Sequence, residues 1–238
     1  MRTFLLFIAL TAFFASNQAT ARPYHKCPKF ENPKVTITLL SAKPTINHEN
    51  DLSGIRNIAQ KNKHDIALGT NETPVGLTSA ALIMNSSFKI MTASSQTSPM
   101  SCSQVTQLNV NLGFEKTTIY MPTDLKKHTC AYHAVLGHEK KHVRTDKAFL
   151  KSIVPEIKRE LSWAIRGLGT IRSGSQKYAS DKISKTLNKK LHALGQKFAT
   201  RRRSWHKRVD TPQEYKRVGR SCGGTLRDIV QEASKAWD

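Results

Sequence analysis

Several things are missing from this sequence, and each absence removes a class of protein. No Cys-x-x-Cys pair occurs, which argues against a cysteine-ligated zinc site. No segment after residue 21 is long and apolar enough to cross a bilayer, which leaves no transmembrane helix in the expected mature chain. No internal repeat is visible, and no lipobox precedes Cys27 to make it a lipid attachment point. Acidic residues are scarce, with 17 Asp and Glu against 38 Lys and Arg among 238 residues.

What is present begins with MRTFLLFIALTAFFASNQATA. One arginine, an apolar run from Phe4 to Ala15 without a polar stripe, and Ala19-Thr20-Ala21 match a secretion signal cleaved near Ala21. Residues 1–21 are therefore expected to be a signal peptide and the mature protein to be exported, periplasmic or secreted. The formal charge of +21 includes one basic and no acidic residue of that signal, so 21 − 1 = +20 remains. A charge of this size favours polyanions, whether nucleic acid, anionic lipid headgroups or acidic polysaccharide. Cys27, Cys102, Cys130 and Cys222 make an even set in an exported chain, which predicts two disulfides with three connectivities open. A bond from Cys130 to a distant segment would anchor the helix that follows it.

Along the chain, PKVTITLL (Pro33–Leu40) alternates like a strand, and Leu52–Ala59 reads as a short helix. Gly76–Ser94 reads as one or two strands, and SSQTSPMS as a loop. Gln104–Pro122 is expected to form a hairpin turning around Leu112–Lys116. Helical periodicity takes over from Thr129. The expected class is α+β, with a β-rich first half, a hairpin before the central helix, and a long basic helix near the end. The expected division is residues 22–165 as one α+β domain and 166–238 as a basic helical region.

The central helix carries VLGHEKKHVRTD, Val135 to Asp146. At about 100° per residue, His142, Asp146 and Glu139 fall within about 100° of His138, together with Val135, Phe149 and Ile153, and Leu150 follows at about 120°. Lys140, Arg144 and Lys141 fall on the opposite arc, facing solvent. Burying His, Glu and Asp on an apolar face demands partners for each of them. Histidines four apart project side by side and can reach one Zn²⁺ ion, and the intervening Glu139 can act as general base on the zinc-activated water. Composition alone gives an expectation of about 0.01 for a chance His-Glu-x-x-His in such a chain.

VLGHEKKHV resembles the helix of the zincin metallopeptidases. The wider run from SCSQVTQLNVNLGFEKTTIYMP through HTCAYHAVLGHEKKHVRTD resembles uncharacterised secreted bacterial proteins regarded as zinc-dependent proteases, over about residues 102–161. The resemblance implies His138 and His142 as zinc ligands, Glu139 as the catalytic base, and a strand of the preceding hairpin as the edge where a peptide substrate pairs. Departures leave the third ligand open. Thr145 and Ala148 stand where the metzincin pattern has Gly and His. Asp146 shares the face but lies about 12 Å along a straight helix from His138, so it either ligates through a bend or accepts the second N–H of His142. The thermolysin-like alternative draws a glutamate from a following helix: Glu160, eighteen residues after His142, with Glu156 as second choice.

Among the remaining candidates, His133 falls on the solvent side, and His128 precedes the helix within reach of a cleft. Tyr120 and Tyr132 are candidate oxyanion donors whose commoner role is core packing. Asn71 and Asn85 begin glycosylation sequons. In the last third, Ile183, Leu187, Leu191, Leu194, Phe198 and Trp205 form an apolar seam on a basic helix over 177–209 that ends in RRRSWHKR. That helix would lie on an anionic membrane, hold a polyanion, or pack on the core with its charged face in water. The leading expectation is an exported zinc metallopeptidase acting on peptide or protein. The alternative is a secreted cationic binding protein with a structural His-Glu-His cluster.

Overall fold

The fold was analysed in a computed structural model, in which residues 26–61, 74–95, 98–127 and 129–235 are described. The expected signal segment, His128 and Asn71 lie outside them. Among the described residues there are five strands: β1 (Lys34–Leu39), β2 (Thr45–Asn47), β3 (Leu77–Ser95), β4 (Ser98–Tyr120) and β5 (Ile171–Ser173). With them stand α1 (Leu52–Lys61), α2 (Cys130–Leu168), α3 (Gln176–His206), α4 (Pro212–Arg220) and α5 (Thr225–Lys235), and a 3-10 turn (Ser221–Gly224) between the last two. The class is mixed α and β, as expected.

β4 is the axis of the sheet. β3 lies antiparallel along one side of it. The other side takes β5 antiparallel at Ser101–Ser103, β1 parallel at Gln107–Leu112 and β2 parallel at Thr118–Tyr120. Among the described strands, β3 is therefore paired on one side only, which leaves its outer edge as the place where another strand could add.

The hairpin expected around Leu112–Lys116 is not there. That stretch runs straight through as one 23-residue strand, and the antiparallel pairing of β3 with β4 extends to Ser95 opposite Ser98, so the described part of SSQTSPMS, expected as a loop, is strand. The turn-like signal has two causes. Ala80 faces Thr117 and Leu82 faces Phe114, so Glu115 and Lys116 both oppose Ala81: this is a β-bulge, and it puts two consecutive charged residues outward. Gly113 marks a close approach, because a Cβ there would sit 2.6 Å from Leu40 Cβ and 2.7 Å from its carbonyl oxygen.

α2 runs unbroken for 39 residues, through Pro155. Its face of Phe149, Ile153, Ile157, Leu161 and Ile165 packs between β4 (Val105, Leu108, Val110, Leu112) and the seam of α3. All six seam residues expected on α3 join this core, Trp205 at its margin. The seam is thus already occupied, and α3 does not offer it to a membrane. The same apolar cluster extends from Val35 to Phe198, so residues on both sides of the expected 165/166 division share one core. A second cluster packs α4 and α5, through Val218 and Leu226, against Tyr132, Val135, Leu136 and Val143 of α2.

Two disulfides form. Cys27–Cys102 ties the segment before β1 to β4, and Cys130–Cys222 fastens the first residue of α2 to the 3-10 turn after α4, anchoring that helix as expected. No described helix is long and apolar enough to cross a membrane.

The close approach at Gly113 is directly testable. Gly113→Ala should lower stability by about 1–3 kcal/mol, read as the urea midpoint, because the Leu40 backbone cannot give way as a flexible side chain would. A neutral result would mean that Leu40 does not cross β4 there.

Candidate metal centre

Thr129 caps α2 by accepting from the Tyr132 backbone N–H, and two turns later the helix buries His138, Glu139, His142 and Asp146 against the rest of the fold. Lys140 is exposed. Lys141 departs from expectation: it folds back to donate to Glu214 rather than standing free in water.

The acid that meets the two histidines is Asp210, which the sequence reading missed. It lies just past the end of α3. The Val209 and Asp210 N–H groups both donate to the His206 carbonyl, and Thr211 then caps α4 through the Glu214 N–H. This short link, fixed at both ends, carries the Asp210 carboxylate over the first half of α2. Asp210 Oδ1 lies 3.2 Å from His138 Nε2 and 3.0 Å from His142 Nε2, and the two Nε2 atoms are 3.3 Å apart. Three donor atoms from three residues thus form a nearly equilateral triangle, a group able to hold a metal ion.

Glu139 occupies the same pocket, 3% exposed. Thr78 of β3 donates to its Oε2 at 2.7 Å, and a Cβ on Gly76 would meet its Oε1 at 3.0 Å and Val135 at 2.6 Å. The start of the free-edged strand therefore runs directly against the glutamate, and only glycine allows that approach. The hollow they share holds about 40 Å³, space for a few waters. Tyr215 of α4 closes one side of it, its ring 5.9 Å from that of His138.

Each histidine has a partner on its other nitrogen. His138 Nδ1 lies 3.3 Å from Glu214 Oε1, and Glu214 is itself held by Lys141 and Arg217. His142 Nδ1 lies 2.8 Å from Nδ1 of His206, whose Nε2 lies 2.7 Å from Asp146 Oδ1.

Neither expected third ligand reaches the triangle. Asp146 is gripped by Arg202 through two bonds, 2.7 and 2.9 Å, and approaches His142 only by way of His206. Glu160 is on α2 itself, because no second helix begins at Pro155. Eighteen residues at 1.5 Å put it about 27 Å down the axis from His142, where it pairs with Lys190. Glu156 pairs with Lys197 and Arg201. His133 is exposed, Tyr132 packs in the second core and meets His48 at 3.0 Å, and Tyr120 packs beside Leu77.

Arg202 and His206 were read as part of a basic run. The available signal was the seam itself: continued by fours from Phe198, it passes through 202 and 206, so both had to point inward. No comparable signal existed for Asp210, which follows the helix end.

Charge in the metal-free site is arranged around Asp210. Burial opposes its ionisation, yet hydrogen bonds from His138 and His142 hold its pKa down to about 2. Burial lowers the pKa of His138, but Asp210, Glu139 and Glu214 outweigh it and raise the value overall. Burial pushes Glu139 up, against the two histidines and Thr78. Burial likewise opposes charge on Asp146, and His206 and Arg202 overcome it and lower the pKa.

No protein-family model matches this chain, and no curated protein or solved structure does either. The geometry of the centre therefore carries the functional reading by itself.

Two outcomes follow for the metal-free protein. A depressed Asp210 stabilises above its ordinary value of 3.8 and loses that contribution as pH falls through about 2, whereas a raised His138 contributes fully below 6.5 and loses it as pH rises. The thermal stability of wild type over Asp210→Asn should thus be greatest between about pH 4 and 6.5. Glu139→Gln should melt no lower than wild type at neutral pH, and above it if burial of the charged form dominates, because the amide removes a buried carboxylate and still accepts from Thr78.

Proposed function

We propose that the protein is an exported zinc-dependent hydrolase that cleaves peptide bonds. The observation that carries this reading is the donor triangle of His138, His142 and Asp210. Tetrahedral zinc with ligands at 2.0–2.1 Å places neighbouring donors about 3.3–3.4 Å apart, and the three separations here are 3.0, 3.2 and 3.3 Å. Two imidazoles and one carboxylate suit zinc, and three protein ligands leave a fourth position for water or substrate, the pattern of catalytic sites. All four cysteines are in disulfides, so no thiolate competes.

When bound, zinc would polarise the substrate carbonyl and make water acidic enough to ionise near neutral pH. Glu139 would take the proton of the attacking water and return it to the departing amine. Its raised pKa brings it closer to the working pH of a general base, and Thr78 holds one carboxylate oxygen still while the other lies beside Gly76. Glu214 orients His138 and the small hollow limits bulk water. The outer edge of β3, which begins at Glu139, offers main-chain pairing to an extended polypeptide, and this is the reason for proposing a peptide substrate. Export is supported by the two disulfides.

One feature favours a second reading, in which the outer face of the α2–α3 pair binds an anionic surface. Trp163 is 54% exposed with the Arg159 guanidinium 5.4 Å over its ring, among exposed lysines. Salt-sensitive retention on a polyanion, unchanged in Glu139→Gln, would support it.

Elemental analysis of the purified chain tests the first reading. About one zinc per chain is expected, lost in His138→Ala/His142→Ala and in Asp210→Ala but kept in Glu160→Ala. Glu139→Gln should keep the metal and lose roughly 10²–10⁴-fold in peptide hydrolysis. A chain that takes up no zinc under titration would overturn the hydrolase reading.

A further inference from the structure

We infer that His206 is a positioning residue that fixes the ring and the tautomer of His142, and that Asp146 and Arg202 fix His206 in turn. The inference rests on reading His138, His142 and Asp210 as zinc ligands, and it gives a role to three buried groups which that reading leaves unexplained.

The hydrogen positions follow from the contacts. His142 turns Nε2 toward His138 Nε2 and Asp210 Oδ1, at 3.3 and 3.0 Å. A nitrogen that ligates a metal must offer its lone pair, so the proton of His142 has to reside on Nδ1. That Nδ1 lies 2.8 Å from Nδ1 of His206, and two such nitrogens at this distance share one proton. With His142 donating, His206 accepts at Nδ1 and carries its own proton on Nε2, 2.7 Å from Asp146 Oδ1, a carboxylate oxygen that can only accept. One arrangement thus satisfies the contacts on this side of His142 and leaves its Nε2 lone pair for a metal, in place of the hydrogen bond that Nε2 gives Asp210 in the metal-free site. The reverse arrangement places the proton of a neutral His142 on Nε2, inside the donor triangle, where it would exclude the metal.

The ring geometry agrees. The His142 and His206 planes differ by 12°, with centroids 5.0 Å apart. Two coplanar imidazoles joined edge to edge at this N···N distance have centroids about 5 Å apart, and in-plane alignment is what a nitrogen lone pair requires. Asp146 is locked by the two Arg202 bonds, and the Arg202 guanidinium lies 4.9 Å over the Phe114 ring. His206, Asp146 and Arg202 are 7%, 3% and 5% exposed, so water does not compete for these contacts. The pattern is two facing helices that each contribute an i, i+4 pair: His142 and Asp146 from α2, Arg202 and His206 from α3. The two ligand histidines are accordingly held in different ways, His138 by a carboxylate and His142 by a second imidazole.

The test uses the full chain and its variants His206→Leu, His206→Gln and Asp146→Asn, with zinc affinity measured by competition against a chromophoric chelator. Folding of each is checked by metal-free melting. His206→Leu should weaken zinc binding about 10–100-fold. His206→Gln, whose amide oxygen can accept the Nδ1 proton, should recover most of that loss, and Asp146→Asn should fall between them. In the zinc-loaded, ¹⁵N-histidine-labelled wild type, a scalar coupling across the hydrogen bond should join His142 Nδ1 to His206 Nδ1, with His206 protonated at Nε2. Three results would overturn the inference by itself: His206→Leu binding zinc as tightly as wild type, His206→Gln doing no better than His206→Leu, or no such coupling. A wild type that binds no zinc sinks the zinc reading, and this inference with it.

Discussion

Burial of four ionisable groups on one face of α2 is the constraint on which the rest of the site depends. An uncompensated buried charge costs several kcal/mol, so a helix that carries His138, Glu139, His142 and Asp146 inward folds only where each finds a partner. Those partners are distant in the chain: Thr78 from β3, Arg202 and His206 from α3, Asp210 from the link, and Glu214 from α4. The C-terminal third is consequently the other half of the centre. Its positive charge is partly spent there, since Arg202 neutralises Asp146 and Arg217 holds Glu214.

The scaffold explains how that convergence is held. α3 is fixed by its apolar seam on α2 and the sheet, so its last turn reaches the centre in one register. Beyond it, hydrogen bonds to the His206 carbonyl and the Thr211 cap fix the link that bears Asp210. Farther on, Cys130–Cys222 and the packing of Val218 and Leu226 keep α4 against the first half of α2. Across from this, Gly76 and Thr78 bring the free-edged strand to Glu139. The same residues therefore set both the position of the base and the place where an extended chain would lie.

Two misreadings of the sequence share one cause, which is that local signals were taken for chain reversals. Gly-Phe-Glu-Lys after Leu112 looks like a turn because glycine and paired charges break strand alternation. In β4 the glycine admits the Leu40 backbone and the charges sit in a bulge. Glu160 was placed on a following helix, yet α2 continues through Pro155 and carries it. Strand pairing on both sides of β4 and packing along α2 outweigh such local preferences. The long helix over 177–209 was legible, and so was its apolar seam. Its inward Arg202 and His206 were hidden within RRRSWHKR, where neighbouring arginines and lysines mask the fourfold spacing.

Legible from the residues in order are the amphipathic helix, the shared face of His138, Glu139 and His142, the even cysteine set and the excess of positive charge. All of these are local or compositional, fixed by a period of 3.6 residues or by counting. It takes the folded chain to bring Asp210 to the two histidines, to turn Asp146 to Arg202 and His206, and to pair the cysteines. Asp210 is 68 residues from His142 in the chain and 3.0 Å from it in space. No periodicity spans that distance; it is set by the lengths of α2 and α3, by where α3 ends, and by the angle at which the link leaves it.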